Sequence, residues 1–307
     1  MNSAEHMMSE QDEPVIATND DATECKRSAV ELGYWKDDYI QYFTKRRERK
    51  PPEINRGYFV RVRAIETLVY QFLEHCGSEG HIVNLGCGYD TLFWRLKERV
   101  PGLGPFTELD LPAVVARKTR IIMRNSKLRD MISTPECPPL VRPGSLRGAG
   151  YSLLAADLRR PAELARALPP PAAPLLALAE CVLVYLPAAL GDRLLALLAG
   201  RPRAALVLYE QVALDDGFGR TMLAALRARG LALPGAAASG LAGARRLRAA
   251  GWRRARAWGL AELGPRLLGA AAGLEPADEG ELLDQLHRHY ALLLATNGDL
   301  LADMGLD

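Results

Sequence analysis

From residue 81 onward the apolar positions fall into short runs that stop at a glycine or an acid, each followed by a stretch with apolar residues at helical spacing. "HIVNLG" at 81–86 is the first run, and Leu92, Leu96 and Val100 then recur at i, i+4 on "TLFWRLKERV". "PFTELDL" is a second strand, with Pro112 suited to the first turn of the helix "PAVVARKTRIIM". "YSLLAADL", "PLLALAECVLVYL" and "RAALVLYEQV" read as the third, fourth and fifth strands, and "DEGELLDQLHRHYALLLATN" as a helix with a final apolar strand. Strands alternating with helices predict an α/β fold on a mostly parallel, doubly wound, Rossmann-like sheet.

The flanking segments differ. Residues 1–22 are polar, short of aromatics and without periodicity, and read as a disordered tail. Order is expected from residue 23, where Thr23 can cap a helix carrying Ala29, Val30 and Leu32. Val60, Ile65, Leu68, Val69 and Phe72 then fall at helical spacing, which places an N-terminal helical cap over about 23–78. Residues 133–150 are rich in Pro, Ser and Gly and read as a loop. The alanine-rich stretch 214–250 is too long for an ordinary connection and reads as a helical insertion over the sheet, all within a single domain spanning 23–307.

Composition narrows the classes without choosing among them. A chain of 307 residues that is 49% hydrophobic can bury a sizeable core. Lys+Arg 39 against Asp+Glu 37 gives a net charge of +2, so the overall field does not demand an anionic partner. The basic runs "KRRERK" at 45–50 and "ARRLRAAGWRRARAW" at 244–258 read as solvated helix faces, because no aromatic stacking platform for nucleic acid accompanies them. The cysteines stand singly, with no zinc-site spacing, which favours a reducing compartment and no bound metal. No apolar run reaches about 18 residues and the N-terminus is acidic and polar, so the expected address is the cytoplasm.

The turn after the first strand carries the candidate chemistry. Gly86 and Gly88 let a ligand approach the backbone without a Cβ in the way. The dinucleotide fingerprint needs a third glycine where Thr91 stands, and Asp90 heads the next helix. A carboxylate there caps the helix N–H groups and repels phosphate. The turn therefore suits a phosphate-free nucleoside ligand, and S-adenosylmethionine is one. Asp110, about 20 residues beyond the glycines, is the ribose candidate. Asp157 and Leu158 at the end of the third strand suit the adenine, and Glu180 at the end of the fourth suits the cationic end of the ligand. Tyr58 and Tyr185 are candidate aromatic walls, Cys181 reads as packed core, and His287 and His289 read as half-exposed.

Taken together, "CKRSAVELGYW", "PEINRGYFVRV", "VNLGCGYDTLFWRL", "ELDLP", "ADL", "AECVLVY", "YEQV" and "LLDQLHRHY" resemble the leucine carboxyl methyltransferase family over about residues 24 to 296. The resemblance implies a class I S-adenosylmethionine-dependent methyltransferase fold: seven strands, the seventh antiparallel, with N-terminal helices and a helical insertion forming a lid. It implies that Lys26 and Arg61 bind the cofactor's carboxylate, Gly86 its methionine part, Asp110 the ribose, Asp157 and Leu158 the adenine, and Glu180 the amino end. The implied partner is the C-terminal tail of the protein phosphatase 2A catalytic subunit. The protein would act as a monomer, with neither nucleic acid nor membrane.

The implied reaction is attack of a leucine carboxylate on a sulfonium methyl, with Arg61 positioning the reactants. A C-terminal carboxyl titrates at about 3.3 to 3.7, so the nucleophile arrives ionised and no general base is required. The runner-up is the related carboxyl methyltransferase of the tRNA wybutosine base. A different class of reading is a non-catalytic module that binds S-adenosylmethionine and the phosphatase.

Overall fold

The computed structural model describes residues 12–276 and 280–307. Its sheet contains β1 (His81–Leu85), β2 (Phe106–Asp110), β3 (Leu140–Arg142), β4 (Ser145–Gly148), β5 (Tyr151–Ala155), β6 (Leu175–Glu180), β7 (Ala204–Gln211), β8 (Arg254–Gly259) and β9 (Tyr290–Thr296). Their order is β3-β4-β5-β2-β1-β6-β7-β9-β8. β5, β2, β1, β6 and β7 pair in parallel, and β9 runs antiparallel between β7 and β8. The strand order reverses at β1, so the crevice beyond the carboxyl ends of β1 and β6 is where ligands of such sheets bind.

The helices are α1 (Asp12–Glu31), α2 (Pro52–Cys76), α3 (Leu92–Arg99), α4 (Pro112–Arg124), α5 (Ser126–Arg129), α6 (Pro161–Ala167), α7 (Ala188–Ala199), α8 (Gly217–Ala228), α9 (Gly240–Ala249), α10 (Leu260–Leu268) and α11 (Gly280–Arg288). Both faces of the sheet are covered. Ile82, Phe106, Leu176, Leu178, Val207 and Leu292 pack on the side of Phe72 and Trp94, while their neighbours Val83, Ala177, Leu206 and Leu293 pack on the side of Leu194 and Leu247. That alternation is the two-residue period of a strand buried on both faces.

Five expectations need correction. The sheet has nine strands rather than seven, because the stretch read as a loop at 133–150 contains the hairpin β3–β4, added antiparallel to β5. β3 is short and solvent-exposed, so its sequence lacks the half-buried alternation that marks a strand. Helix α1 begins at Asp12 rather than near Thr23; residues 1–11 of the expected tail lie outside the described residues. Asp12 and Glu13 sit in its first turn, where the helix dipole favours negative charge, and Pro14 fits the same turn.

The expected insertion divides. α9 packs on β8 and β9 as an ordinary crossover helix, so only α8 and the chain to residue 239 stand over the strand ends. Of the basic run at 244–258, residues from Arg254 form β8, which buries Ala255 and Trp258. His287 and His289 are buried rather than half-exposed.

Beneath the glycine turn lies a fully buried ion pair. Lys118 on α4 sits 2.7 Å from Glu108 on β2, both side chains wholly excluded from solvent. The same ammonium donates to the Asp90 carbonyl at 2.9 Å and lies over the Trp94 ring at 5.6 Å. Glu108 also accepts the Tyr151 hydroxyl. Burial pushes the Glu108 carboxyl up, with Lys118 opposing it. Lys118 thereby ties the turn to the second strand. Lys118→Met should lower unfolding free energy by about 3 to 5 kcal/mol in urea titrations, because it strands a buried carboxylate. A loss under about 1 kcal/mol would show that the pair does not hold this region together.

Candidate functional site

β1 ends at Leu85, and the chain turns through Gly86 (φ 61°) and Gly88 (φ 49°), both in the left-handed region that favours glycine. A Cβ on Gly86 would lie 2.7 Å from Val182, and one on Gly88 would lie 2.5 Å from the Asn19 side chain. Asp90 then accepts the backbone N–H of Thr91 at 2.7 Å and of Leu92 at 3.3 Å. Asp90 therefore occupies the N–H groups of Thr91 and Leu92 at the head of α3, the end of the helix that would otherwise attract a phosphate.

A cavity of about 350 Å³ opens above this turn. Gly86, Asp110, Asp157, Leu158, Glu180 and Arg61 line it, and Lys26 lines an adjoining small cavity that shares Gly86, Arg61 and Glu180. Every residue expected at the site thus converges on one crevice. Asp110 accepts the N–H of Gly88 and of Leu111, each at 2.7 Å, and is 8% exposed. Burial pushes its carboxyl up against the pull of those two N–H groups. Asp157 is held by the backbone and side chain of Arg159, which also reaches Asp12 on α1 at 2.9 Å. Burial alone would raise the Asp157 carboxyl, but the Arg159 contacts bring it below its ordinary value.

The electrostatic centre is Glu180 at the end of β6. Lys26 from α1 lies 3.1 Å from its carboxylate, and Arg61 from α2 donates to it directly. The Arg61 guanidinium is sandwiched between the Tyr209 ring at 4.6 Å and the Tyr58 ring at 5.0 Å. Burial would raise the Glu180 carboxyl, yet the two cations outweigh it and hold the group at about 2. It remains a carboxylate throughout the neutral range. Lys26 also approaches Asp90 at 3.6 Å, linking this cluster to the turn.

Tyr58, Tyr185 and Tyr290 supply the aromatic wall of the cavity, with Gln211, Leu226 and Arg229 toward the α8 side. Cys181 lines the cavity rather than lying in closed core, with φ 56°. Burial pushes its thiol up to about 11, so it is a protonated wall atom rather than a nucleophile. Among the described residues that line the cavity there is no histidine. Nor do the described residues hold a group of three or more His, Cys, Asp or Glu fit to bind a metal.

Sequence reasoning missed the contribution of α1 before residue 23. Asp12, Val15, Ile16, Thr18, Asn19 and Asp21 all line the cavity. The signal was present: Val15, Asn19, Ala22, Lys26 and Ala29 step by four and three, one face of a helix. Its polar composition hid it. The helix is fastened by Asp12–Arg159, Asp20–Arg117 at 2.7 Å and Asp21–Arg229, partners distant in sequence. Of the two acids on β2, only Asp110 faces the crevice; Glu108 is consumed by Lys118 and Tyr151.

The family described as Leucine carboxyl methyltransferase matches residues 14–199. Leucine carboxyl methyltransferase 1 of Bos taurus is 39% identical, over 96% of this chain and 92% of that protein. The Rattus norvegicus protein of the same name is also 39% identical, over 94% and 91%. The tRNA wybutosine-synthesizing protein 4 of Rattus norvegicus is 34% identical over 94% of this chain but 45% of its own length. This chain belongs to the leucine carboxyl methyltransferase family.

Proposed function

We propose that this protein transfers a methyl group from S-adenosylmethionine to the α-carboxylate of a C-terminal leucine, giving a methyl ester and S-adenosylhomocysteine. The observation that carries this reading is the Glu180–Arg61–Lys26 cluster beside the Gly86 turn, in a cavity without a histidine among its described lining residues. The substrate that the resemblance implies is the catalytic subunit of protein phosphatase 2A.

The residues fit the donor. The two positive-φ glycines let the turn pass close against Val182 and Asn19, where a Cβ would clash, and the Asp90 carboxylate at the head of α3 disfavours a phosphate. Lys26 and Arg61 would hold a carboxylate and Glu180 an ammonium, the two ends of an amino acid. Asp110 retains lone pairs for ribose hydroxyls, and Asp157 with Leu158 suits the adenine edge and face. When bound, S-adenosylmethionine supplies an electrophilic methyl on a sulfonium.

What the chain itself contributes is alignment and dryness. A leucine carboxylate is ionised at neutral pH, so no side chain must remove a proton. Good positioning supplies effective molarities of roughly 10⁵ to 10⁸ M. The tyrosines, α1 and the α8 side of the cavity would act as a lid that excludes water, which favours a reaction in which opposite charges neutralise.

The direct test incubates the protein with labelled donor and the phosphatase catalytic subunit, with and without its terminal leucine. Label retained as a base-labile ester only when the leucine is present supports the reading; label absent, or present on both, defeats it. Arg61→Ala should lower kcat/KM by about 10² to 10³ fold while the far-ultraviolet spectrum is kept. Unchanged turnover would remove Arg61 from the site. Asp110→Ala should weaken donor binding about 10 to 100 fold by calorimetry, and unaltered affinity would move the ribose contact elsewhere.

A further inference from the structure

The "LLDQLHRHY" segment ends beside a histidine that the proposed reaction does not use. His289 stands between α11 and β9 and is 2% exposed. Both of its ring nitrogens have oxygen partners: Nδ1 lies 2.7 Å from the Gln285 carbonyl, and Nε2 lies 2.9 Å from the Asp216 carboxylate. A carboxylate accepts, so the imidazole donates to it from Nε2. The His289 carbonyl in turn accepts the N–H of Val212 at 2.9 Å, where the chain leaves β7. His287 is also buried, yet its Nε2 has no partner. A buried ring with both nitrogens matched is costly to disturb, because taking away one partner strands the other.

Asp216 is the N-cap of α8. The oxygen that meets His289, Oδ1, also accepts the Gly219 N–H at 2.7 Å, and the Phe218 ring packs on the imidazole with centroids 4.8 Å apart. The start of the helix is thus pressed against the chain leaving β7: a Cβ on Gly219 would lie 2.6 Å from the Leu214 backbone. Along the rest of its length α8 has little to hold it, since Gly219 is its one buried residue. At the far end Arg229, just past the helix, pairs with Asp21 on α1, and both Leu226 and Arg229 line the cavity. The helix therefore spans between the His289 contact and α1, with Leu226 on the crevice.

We infer that His289 is a positioning residue for the acceptor in the transfer reaction: as a latch on Asp216 and Phe218 it seats the start of α8, and so sets where Leu226 and Arg229 stand over the cavity. The inference rests on the transferase reading above. The residues assigned to the donor come from α1, α2 and the ends of β1, β2, β5 and β6, and none from α8. The side walled by α8 is therefore left for the leucine and the chain that carries it. His289 touches neither reactant, and it acts through the helix.

Substitutions on the two sides of the latch separate it from a merely structural contact. In His289→Ala the Asp216 carboxylate still caps Gly219, so the helix keeps its start and loses only its seat. His289→Gln carries an amide N–H near where Nε2 stands, so it can still donate to Asp216. Asp216→Ala breaks the same contact from the other side. The Asp216 side chain is 60% exposed, so its loss leaves the core intact. Two substitutions that cut one contact do not add.

The experiment compares the full chain with His289→Ala, His289→Gln, Asp216→Ala and the variant that combines His289→Ala with Asp216→Ala. Three properties are read: S-adenosylmethionine affinity by calorimetry, KM and kcat on a leucine-terminated phosphatase subunit, and amide hydrogen exchange across residues 217–228. His289→Ala should raise KM for the subunit about tenfold, with kcat and donor affinity each held within about threefold, and should speed exchange across α8. His289→Gln should bring KM back to within about threefold of the wild type. The combined variant should be no worse than the poorer single variant by more than about twofold.

Normal KM and normal exchange in His289→Ala would overturn the inference, as would a loss of donor affinity equal to the rise in KM. It is also overturned if His289→Gln does no better than His289→Ala, or if the effects multiply in the combined variant. Should His289→Ala fail to fold, Asp216→Ala decides: normal KM and exchange there overturn it. Should the wild type methylate no leucine-terminated protein, the transferase reading falls by itself. Unchanged exchange in the variants would then still dispose of the latch.

Discussion

A single half-buried carboxylate organises this protein. Glu180 stands at the end of a central strand, and its two cations come from α1 and α2, elements that precede the sheet in the chain. Taking such a group out of water is costly, and the cost is offset only when partners are close and well directed. Here Lys26 and Arg61 satisfy it, and Arg61 is itself supported on two tyrosine faces. The cluster therefore joins the N-terminal helices to the strand ends and leaves charge of both signs at the rim of the crevice. An amino acid's ammonium and carboxylate are complementary to that pattern.

The acids around the crevice look interchangeable in sequence and differ sharply in environment. Asp90 caps α3, and Asp110 braces the Gly88 turn while facing the cavity. Asp157 is held by Arg159, and Glu108 is buried on Lys118. Glu180 is kept ionised by cations, whereas Glu210, with Arg246 as its charged neighbour, is driven toward the neutral range. Burial acts on all of them in the same direction. The local partners decide where each one ends.

The wall facing the glycine turn is made of two kinds of structure. One is rigid: β6, β7 and β9 with their stacked tyrosines. The other is lightly built: the polar first half of α1, fastened by ion pairs, and α8, in which Gly219 is the one buried residue. Exposed ion pairs contribute little each, so these segments are held less firmly than the strands. Among the described residues no helix is long and apolar enough to cross a membrane.

The strands β1, β2, β5, β6, β7 and β9, the glycine turn and the acids at the strand ends were legible in the sequence, because strand-to-helix alternation and acids at strand ends are local patterns, while Lys26 and the role of Arg61 came only from the family resemblance. The hairpin β3–β4, the strand β8 and the first half of α1 were not: β3 is short and exposed, and β8 and α1 are rich in polar residues and held by partners far away in the chain. Asp110 was legible from its spacing, whereas the use of Glu108 as the buried partner of Lys118 was not. Periodicity along one segment reveals which face is buried, whereas the charge and hydrogen-bond partners of a buried polar group are set by whichever segments the fold brings against it.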